Sequence, residues 1–243
     1  MKPEILFLIT ARGGSTRVPD KNLKQIGGLS LIGYKARSAL KSKYCTRLMI
    51  STDSEEIQQE AQSHGVEAPF LRPAHLASDT ATSDDVILHV IEYCKTVEKR
   101  RYDAIMLLEP SSPFGRMKDY DAAVEIYLRH DASLVVGMKR TEVSSTFSGP
   151  LQADGNARDI ATKFIGRDKL RTQDMRPEYT MNGAFYLIDW DAMSASKKIY
   201  SDPQRIYGLP MERAYSTEID EPMDLLFAEF LIENKIVDAE EWT

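Results

Sequence analysis

Short apolar runs alternate with longer amphipathic stretches along the chain. Ile5–Ile9, Leu48–Ser51, Ala104–Leu108, Leu134–Gly137 and Ala184–Ile188 are unbroken, short and bounded by turn residues, the pattern of buried strands. Between and after them, Leu31–Leu40, Glu55–His64, Asp84–Lys99, Tyr120–Arg129 and Met223–Asn234 carry helical spacing. The last is the clearest: Met223, Leu226, Phe227, Phe230 and Leu231 stand at i, i+3, i+4, i+7 and i+8, on one helical face. Alternation of this kind predicts an α/β fold built on a mainly parallel sheet.

One stretch departs from the rhythm. From about Lys139 to Thr180 the chain is polar and turn-rich, with no helical stripe, and Asp154-Gly155 is a hairpin signal. The expectation is a single domain over residues 1–243 with a small β-rich subdomain or arm inserted at about 139–180. Long excursions in compact domains commonly serve as lids or subunit contacts.

Composition narrows the function classes. With 42% apolar and 28% charged residues, the 243-residue chain has the make-up of a globular enzyme. Its formal charge of −6 argues against non-specific binding to nucleic acid or an anionic membrane. No leader-like or membrane-spanning apolar segment stands out, so a cytoplasmic location is expected. Cys45 and Cys94 lack a CxxC partner and read as reduced buried thiols, and the scattered histidines offer no His/Cys metal site.

Against that acidic background the segment after the first apolar run is conspicuous. Residues 9–22 read ITARGGSTRVPDKN. Gly13 and Gly14 let the backbone turn and expose N–H groups to an anion, while Arg12, Arg17 and Lys21 add charge-assisted contacts. Ligands of open α/β sheets bind beyond the carboxyl ends of the strands, where this loop lies. It is neither the GxxxxGK(S/T) nor the GxGxxG pattern. A glycine turn with solvated cations is the alternative, and the clustering of three cations favours phosphate.

Two further spots are ambiguous on residues alone. Thr82-x-x-Asp85 before Val86–Val90 is a helix N-cap signal, and a helix N-terminus is also a polar binding edge. Glu218 and Asp220 stand two apart, so in an extended segment both face one side and suit a hard divalent cation. Asp220 also precedes Glu221-Pro222 and the last helix, which is a capping arrangement.

The motifs together resemble the CMP–acylneuraminate (CMP–sialic acid) synthetases, a family of sugar-activating cytidylyltransferases. ARGGSTRVPDKN is similar to that family's signature loop, ARGGS-K/T-R-I/V-P-x-K-N. STD (Ser51–Asp53), FLRPAHLASDTATS (Phe70–Ser83), LLEPSSPF (Leu107–Phe114), MNGAFYL (Met181–Leu187) and STEID (Ser216–Asp220) follow in family order over most of the chain.

The resemblance implies a Rossmann-like sheet with helices on both faces, of the nucleotide-diphospho-sugar transferase type, and a homodimer formed through the 139–180 arm. It implies CTP and a sugar acid as substrates, with Mg²⁺ or Mn²⁺ as cofactor. Ala11, Arg12, Gly13, Gly14, Ser15, Lys21 and Asn22 would bind the nucleotide: Arg12 and Lys21 would hold the triphosphate and neutralise the leaving pyrophosphate, and Asn22 would help shape the loop. Arg72, Ala81 and Ser83 would surround the cytosine. Glu218 and Asp220 would hold the metal, and Asp220 would ease deprotonation of the attacking hydroxyl. Glu109, Arg171 and Asn182 would meet the sugar, with Arg176 as a second candidate for its carboxylate.

Glu109 stands where the family usually has Gln, and Glu218 where it has Asp. A carboxylate accepts hydrogen bonds but does not donate when ionised, so the acceptor sugar is the part these departures affect. Three rival readings are weaker. A 3-deoxy-manno-octulosonate or 8-amino-octulosonate cytidylyltransferase shares the STRVPDK flavour of the loop. A glycosyltransferase with paired carboxylates would not need the cationic loop. A non-catalytic nucleotide-binding regulator would need neither the cations nor the carboxylate pair.

Overall fold

The computed structural model describes residues 2–165 and 176–243. Its first strand, β1 (Ile5–Thr10), is followed by the loop of residues 11–24 and a tiny ribbon, β2 (Gln25–Ile26) and β3 (Leu29–Ser30). Helix α1 (Leu31–Lys41), strand β4 (Cys45–Ser51), α2 (Glu55–Ser63), α3 (Ser83–Thr96), β5 (Ala104–Leu108), α4 (Met117–His130) and β6 (Leu134–Arg140) continue the alternation. After the excursion and its short helix α5 (Arg158–Ala161) come β7 (Tyr179–Asp189), α6 (Trp190–Ser196), β8 (Ile206–Pro210) and α7 (Pro222–Glu233).

Six strands form one sheet in the order β4-β1-β5-β7-β6-β8. β4, β1 and β5 pair in parallel, as do β6 and β8, and β7 runs antiparallel between β5 and β6. The mainly parallel expectation holds, with one reversed strand. Alternate residues of β1 feed two cores. Ile5, Phe7 and Ile9 pack with residues of α1, α2 and α4, whereas Leu6 and Leu8 pack with α3 and α6. Helices therefore cover both faces, which is why the strands read as continuous apolar runs.

Local chemistry sets the helix starts. Ser30 caps α1 by accepting from Gly33 N, and Ser54 caps α2 from Ile57 N. Thr82 and Asp85 form a reciprocal capping box at α3. Thr82→Ala is expected to cost about 1 kcal/mol of unfolding free energy, read as a lower urea midpoint at unchanged m-value. Asp220 is not the cap of α7: Glu221 holds that position, and Asp224 accepts from the N–H groups of both Asp220 and Glu221. The Asp220 carboxylate is left for other work.

Two expectations need correction. The 139–180 excursion is not β-rich among the described residues. Strands β6 and β7 pair at its root (Lys139↔Thr180, Arg140↔Tyr179), but beyond them the chain makes short helical turns at Ser145–Phe147, Arg158–Ala161 and Thr162–Phe164. Asp154-Gly155 does turn, with Gly155 at φ +82° and Gln152 N donating to Asn156 O. No alternating apolar residues flank that turn to extend it into strands. Phe147 and Phe164 pack together instead, and Lys163 donates to the carbonyls of Ser145 and Ser148.

The second correction concerns α7. The helix is there, but its apolar stripe faces outward. Met223, Leu226, Phe227 and Phe230 are exposed, while Ala228 and Leu231 make the buried contact with Ile26, Tyr34 and Trp242. The helix is apolar nearly all round, so periodicity did not determine which side packs.

Candidate functional site

The loop after β1 forms the floor of a cleft at the carboxyl ends of β1 and β5. It is held by contacts distant in sequence. Gly13 N donates to Asp53 Oδ1 (3.0 Å), at the end of β4. Asn22, buried, donates from Nδ2 to Arg12 O (3.0 Å), the loop-shaping role expected of it. Neither Gly13 nor Gly14 needs a left-handed backbone; a side chain at Gly13 would press on Ser54 Cβ (3.3 Å), and Gly14 faces open space. The glycines thus provide room for close approach rather than an unusual turn.

Three adjoining hollows of about 210, 220 and 300 Å³ share Glu109 as a common wall. The first carries the cations Arg12, Arg17 and Lys21 with Ser15 and Asp220. Lys21 Nζ donates to Ile219 O (2.8 Å) and Asp220 Oδ1 (3.1 Å), pulling the carboxylate segment onto the phosphate-type loop. Arg17 lies 3.8 Å from the same carboxylate. Arg12 pairs with Asp79 (2.7 Å) at the surface.

The 300 Å³ hollow gathers Ala11, Arg72, Ala81 and Ser83, the residues expected around a cytosine. Arg72 is buried and donates from Nη2 to Ala11 O (2.6 Å), while its Nε has no partner among the described residues. A buried orphan donor is costly, so this arginine is consistent with a ligand acceptor. Burial depresses its basicity, with Asp53 acting in the opposite direction.

The third hollow lies between α3 and β7. Asp84, Glu109, Leu107, Tyr186 and Tyr200 line it. Burial pushes the Glu109 carboxyl up, chiefly opposed by Lys35. Lys35 is fully buried on α1, donates to Ala184 O (2.7 Å), and is brought down to about 7 by burial, with Glu109 the strongest opposing charge.

Not every expected residue reaches the cleft. Asn182 is fully buried; its amide donates to Ser216 Oγ (2.9 Å) and its Oδ1 accepts from Ala184 N (3.1 Å). It braces β7 against the carboxylate segment and is not placed for direct sugar contact. Arg171 lies outside the described residues, and Arg176 is exposed. Glu218 and Asp220 are close in sequence but lean differently: Asp220 to Lys21, Glu218 to Lys139. Among the described residues no group of three or more acidic, His or Cys side chains is spaced to hold a metal by itself.

Sequence reasoning missed several contributors. Asp53 anchors Gly13, Lys139 neutralises Glu218, and Ser112 Oγ donates to Asn182 O (2.9 Å). Gly183, at φ +63°, leaves room where Ser112, Glu109 and Glu218 converge. The lone lysine in LIGYKARSAL and the glycine in MNGAFYL were the available signals. Arg116 was the hardest to see: buried, it stacks on Tyr215 (3.7 Å) and bridges Asp119 to Glu212 just before the carboxylate segment.

Comparison with known proteins bears on this geometry. A CMP-N,N'-diacetyllegionaminic acid synthase of Legionella pneumophila is 31% identical over 231 residues, 94% of this chain and 96% of that one. A pseudaminic acid cytidylyltransferase of Campylobacter jejuni is 29% identical over 93% of this chain and 95% of its own. In fold, the chain is similar to CMP-2-keto-3-deoxy-manno-octonic acid synthetase complexed with CTP. That match has a TM-score of 0.69 at 15% identity, over 96% of this chain and 99% of the other. The cytidylyltransferase profile matches residues 6–175. A cationic loop beside a carboxylate pair, on this sheet and in this sequence company, makes the chain a CTP-dependent nucleotidyltransferase belonging to the cytidylyltransferase family.

Proposed function

We propose that the protein transfers CMP from CTP to the anomeric hydroxyl of an α-keto sugar acid of the nonulosonic class and releases pyrophosphate. The observation that carries this is the shared wall at Glu109: a cationic hollow, a base-sized polar hollow and a sugar-sized hollow meet there. The two relatives compared above are named for legionaminic and pseudaminic acid, both sugar acids.

In the reaction, the acceptor hydroxyl oxygen bonds to the α-phosphorus while the bond from that phosphorus to the β-phosphate oxygen breaks. Arg12 and Lys21 hold the triphosphate and offset charge building on the leaving pyrophosphate. Asp220 receives the hydroxyl proton. Arg72, Ala81 and Ser83 hold the pyrimidine edge. Positioning and electrostatics suffice, and no covalent intermediate with the enzyme is needed.

The donor chemistry fits Mg²⁺ or Mn²⁺ incompletely but sensibly. Glu218 and Asp220 supply hard oxygens, and such ions commonly take only one or two carboxylates, with substrate phosphates completing the set. Lys139 and Lys21 now neutralise those carboxylates. When bound, the ion supplies Lewis-acid stabilisation of phosphate charge. Asp220→Asn is expected to lower turnover by about a hundredfold or more even at saturating Mg²⁺; near-full turnover there would remove Asp220 from both the metal site and the proton-accepting role. Homodimerisation through the 139–180 excursion belongs to the same reading.

The deciding experiment crosses CTP, UTP, GTP and ATP with sialic, legionaminic, pseudaminic and 3-deoxy-octulosonic acids, reading pyrophosphate. Release with CTP and a nonulosonic acid is expected. Release only with the octulosonic acid overturns the acceptor assignment; release with none overturns the reaction.

A further inference from the structure

We propose that Arg116 is a positioning residue for the reaction: by gripping Tyr215 and Glu212 it sets the backbone turn from which Glu218 and Asp220 project. The inference rests on the reaction proposed above and adds to it a residue that lines none of the three hollows.

Local rules do not call for an arginine at this position. Arg116 stands at the N-cap of α4, where the helix dipole favours an anion and a short polar side chain is the usual choice. It is only 3% exposed, and a guanidinium removed from water is costly unless it is paired. Asp119 answers the charge one turn on, accepting from Arg116 Nε (2.9 Å) and Nη2 (3.1 Å). A serine or aspartate would cap the helix without that cost. What the long side chain adds is reach to a segment 96 positions away.

That reach has a specific geometry. Arg116 Nη1 donates to Glu212 Oε1 (2.9 Å), and the guanidinium carbon lies 3.7 Å from the centre of the Tyr215 ring. A planar fork that pairs two carboxylates and stacks on a ring at once is arginine chemistry, and lysine offers no such plane. Glu212 precedes and Tyr215 lies within the short turn Ala214–Ser216. At its end, Ser216 Oγ donates to Glu212 O (3.0 Å) and accepts from Asn182 Nδ2 (2.9 Å).

The turn delivers the chain to the carboxylate segment, where the backbone is fixed again. Ile219 N donates to Ser111 O (2.7 Å), and Ile219 O accepts from Lys21 (2.8 Å). Ser111 and Arg116 belong to the same loop between β5 and α4. The Ile219 side chain is fully buried, in one core cluster with Tyr215 and Phe114. Its neighbours Glu218 and Asp220 both line a hollow on the outer side. Arg116 thus holds the entry to the segment, and Ser111 and Lys21 hold its middle.

The test is a double-mutant cycle read by pyrophosphate release from CTP and the accepted sugar acid. Arg116→Lys keeps a charge for the buried Asp119 but loses the fork and the flat face. It is expected to lower kcat about tenfold with the KM for CTP changed less than about twofold, since the loop cations and Arg72 are untouched. In an Asp220→Asn background the same change is expected to cost less than about threefold further, because a residue acting through that carboxylate has little left to position. Tyr215→Phe keeps the ring and is expected to retain the parental kcat, whereas Tyr215→Leu loses the ring face and is expected to follow Arg116→Lys. An Arg116→Lys enzyme with parental kcat, losses that multiply in full in the Asp220→Asn background, or equal losses in Tyr215→Phe and Tyr215→Leu would each overturn the inference and leave the reaction standing. Silence of the unsubstituted protein with every acceptor and nucleotide overturns both.

Discussion

Lys21→Met is expected to lower kcat for pyrophosphate release by about three orders of magnitude, with a smaller change in the KM for CTP. Its ammonium is the best-placed cation of the loop. It is only 18% exposed and sits 2.8 Å from Ile219 O and 3.1 Å from Asp220. Methionine keeps the unbranched bulk and removes the charge. Donors aimed at charge that develops in the transition state are commonly worth 10²–10³ in kcat (about 3–4 kcal/mol). A held, partly desolvated ammonium belongs at the upper end of that range. Uniform binding would raise KM instead, so the split between kcat and KM is the informative number. A kcat within tenfold of the parent, in a protein of unchanged Tm, would assign the charge stabilisation to Arg12 or Arg17.

Gly183→Ala is expected to cost about a hundredfold in kcat/KM with a Tm loss of a few degrees. The residue lies at φ +63°, where an L side chain is strained by roughly 1–2 kcal/mol. The added methyl would also stand 2.8 Å from Ser112 Oγ, 3.1 Å from Glu109 Oε2 and 3.2 Å from Glu218 Oε1. Ser112 is tied to Asn182 O and resists moving, so the two carboxylates must give way. Displacements of about 1 Å in such constellations cost on the order of 10² in rate. A Gly183→Ala enzyme with parental activity would show that Glu109 and Glu218 need no fixed spacing.

What the sequence revealed follows how far each feature reaches along the chain. Five strands were legible because helices on both faces demand unbroken apolar runs. Strand β8 was not, since IYGLP lies at the sheet edge and is half-exposed. The seven-residue α6 is too short to display a period. The outward stripe of α7 shows the limit of periodicity: it reveals that a face exists, not which neighbour arrives.

The site divides in the same way. Arg12, Lys21 and Asn22 were legible because loop chemistry is local. The brace that Asn182 forms was not legible because its side-chain partner, Ser216, comes from a distant segment.

The link from Lys21 to Ile219 and Asp220 spans 198 and 199 positions, which bears on how the protein is made. Synthesis delivers the cationic loop early and its acidic counterpart almost last. On the ribosome, β1 can pair with β4 and β5 long before residues 216–220 emerge. Until then the loop is a cluster of like charges without its clasp. A nascent chain arrested ahead of this segment should acquire its sheet yet lack an assembled centre, so catalytic competence arrives as a late, discrete event in biogenesis.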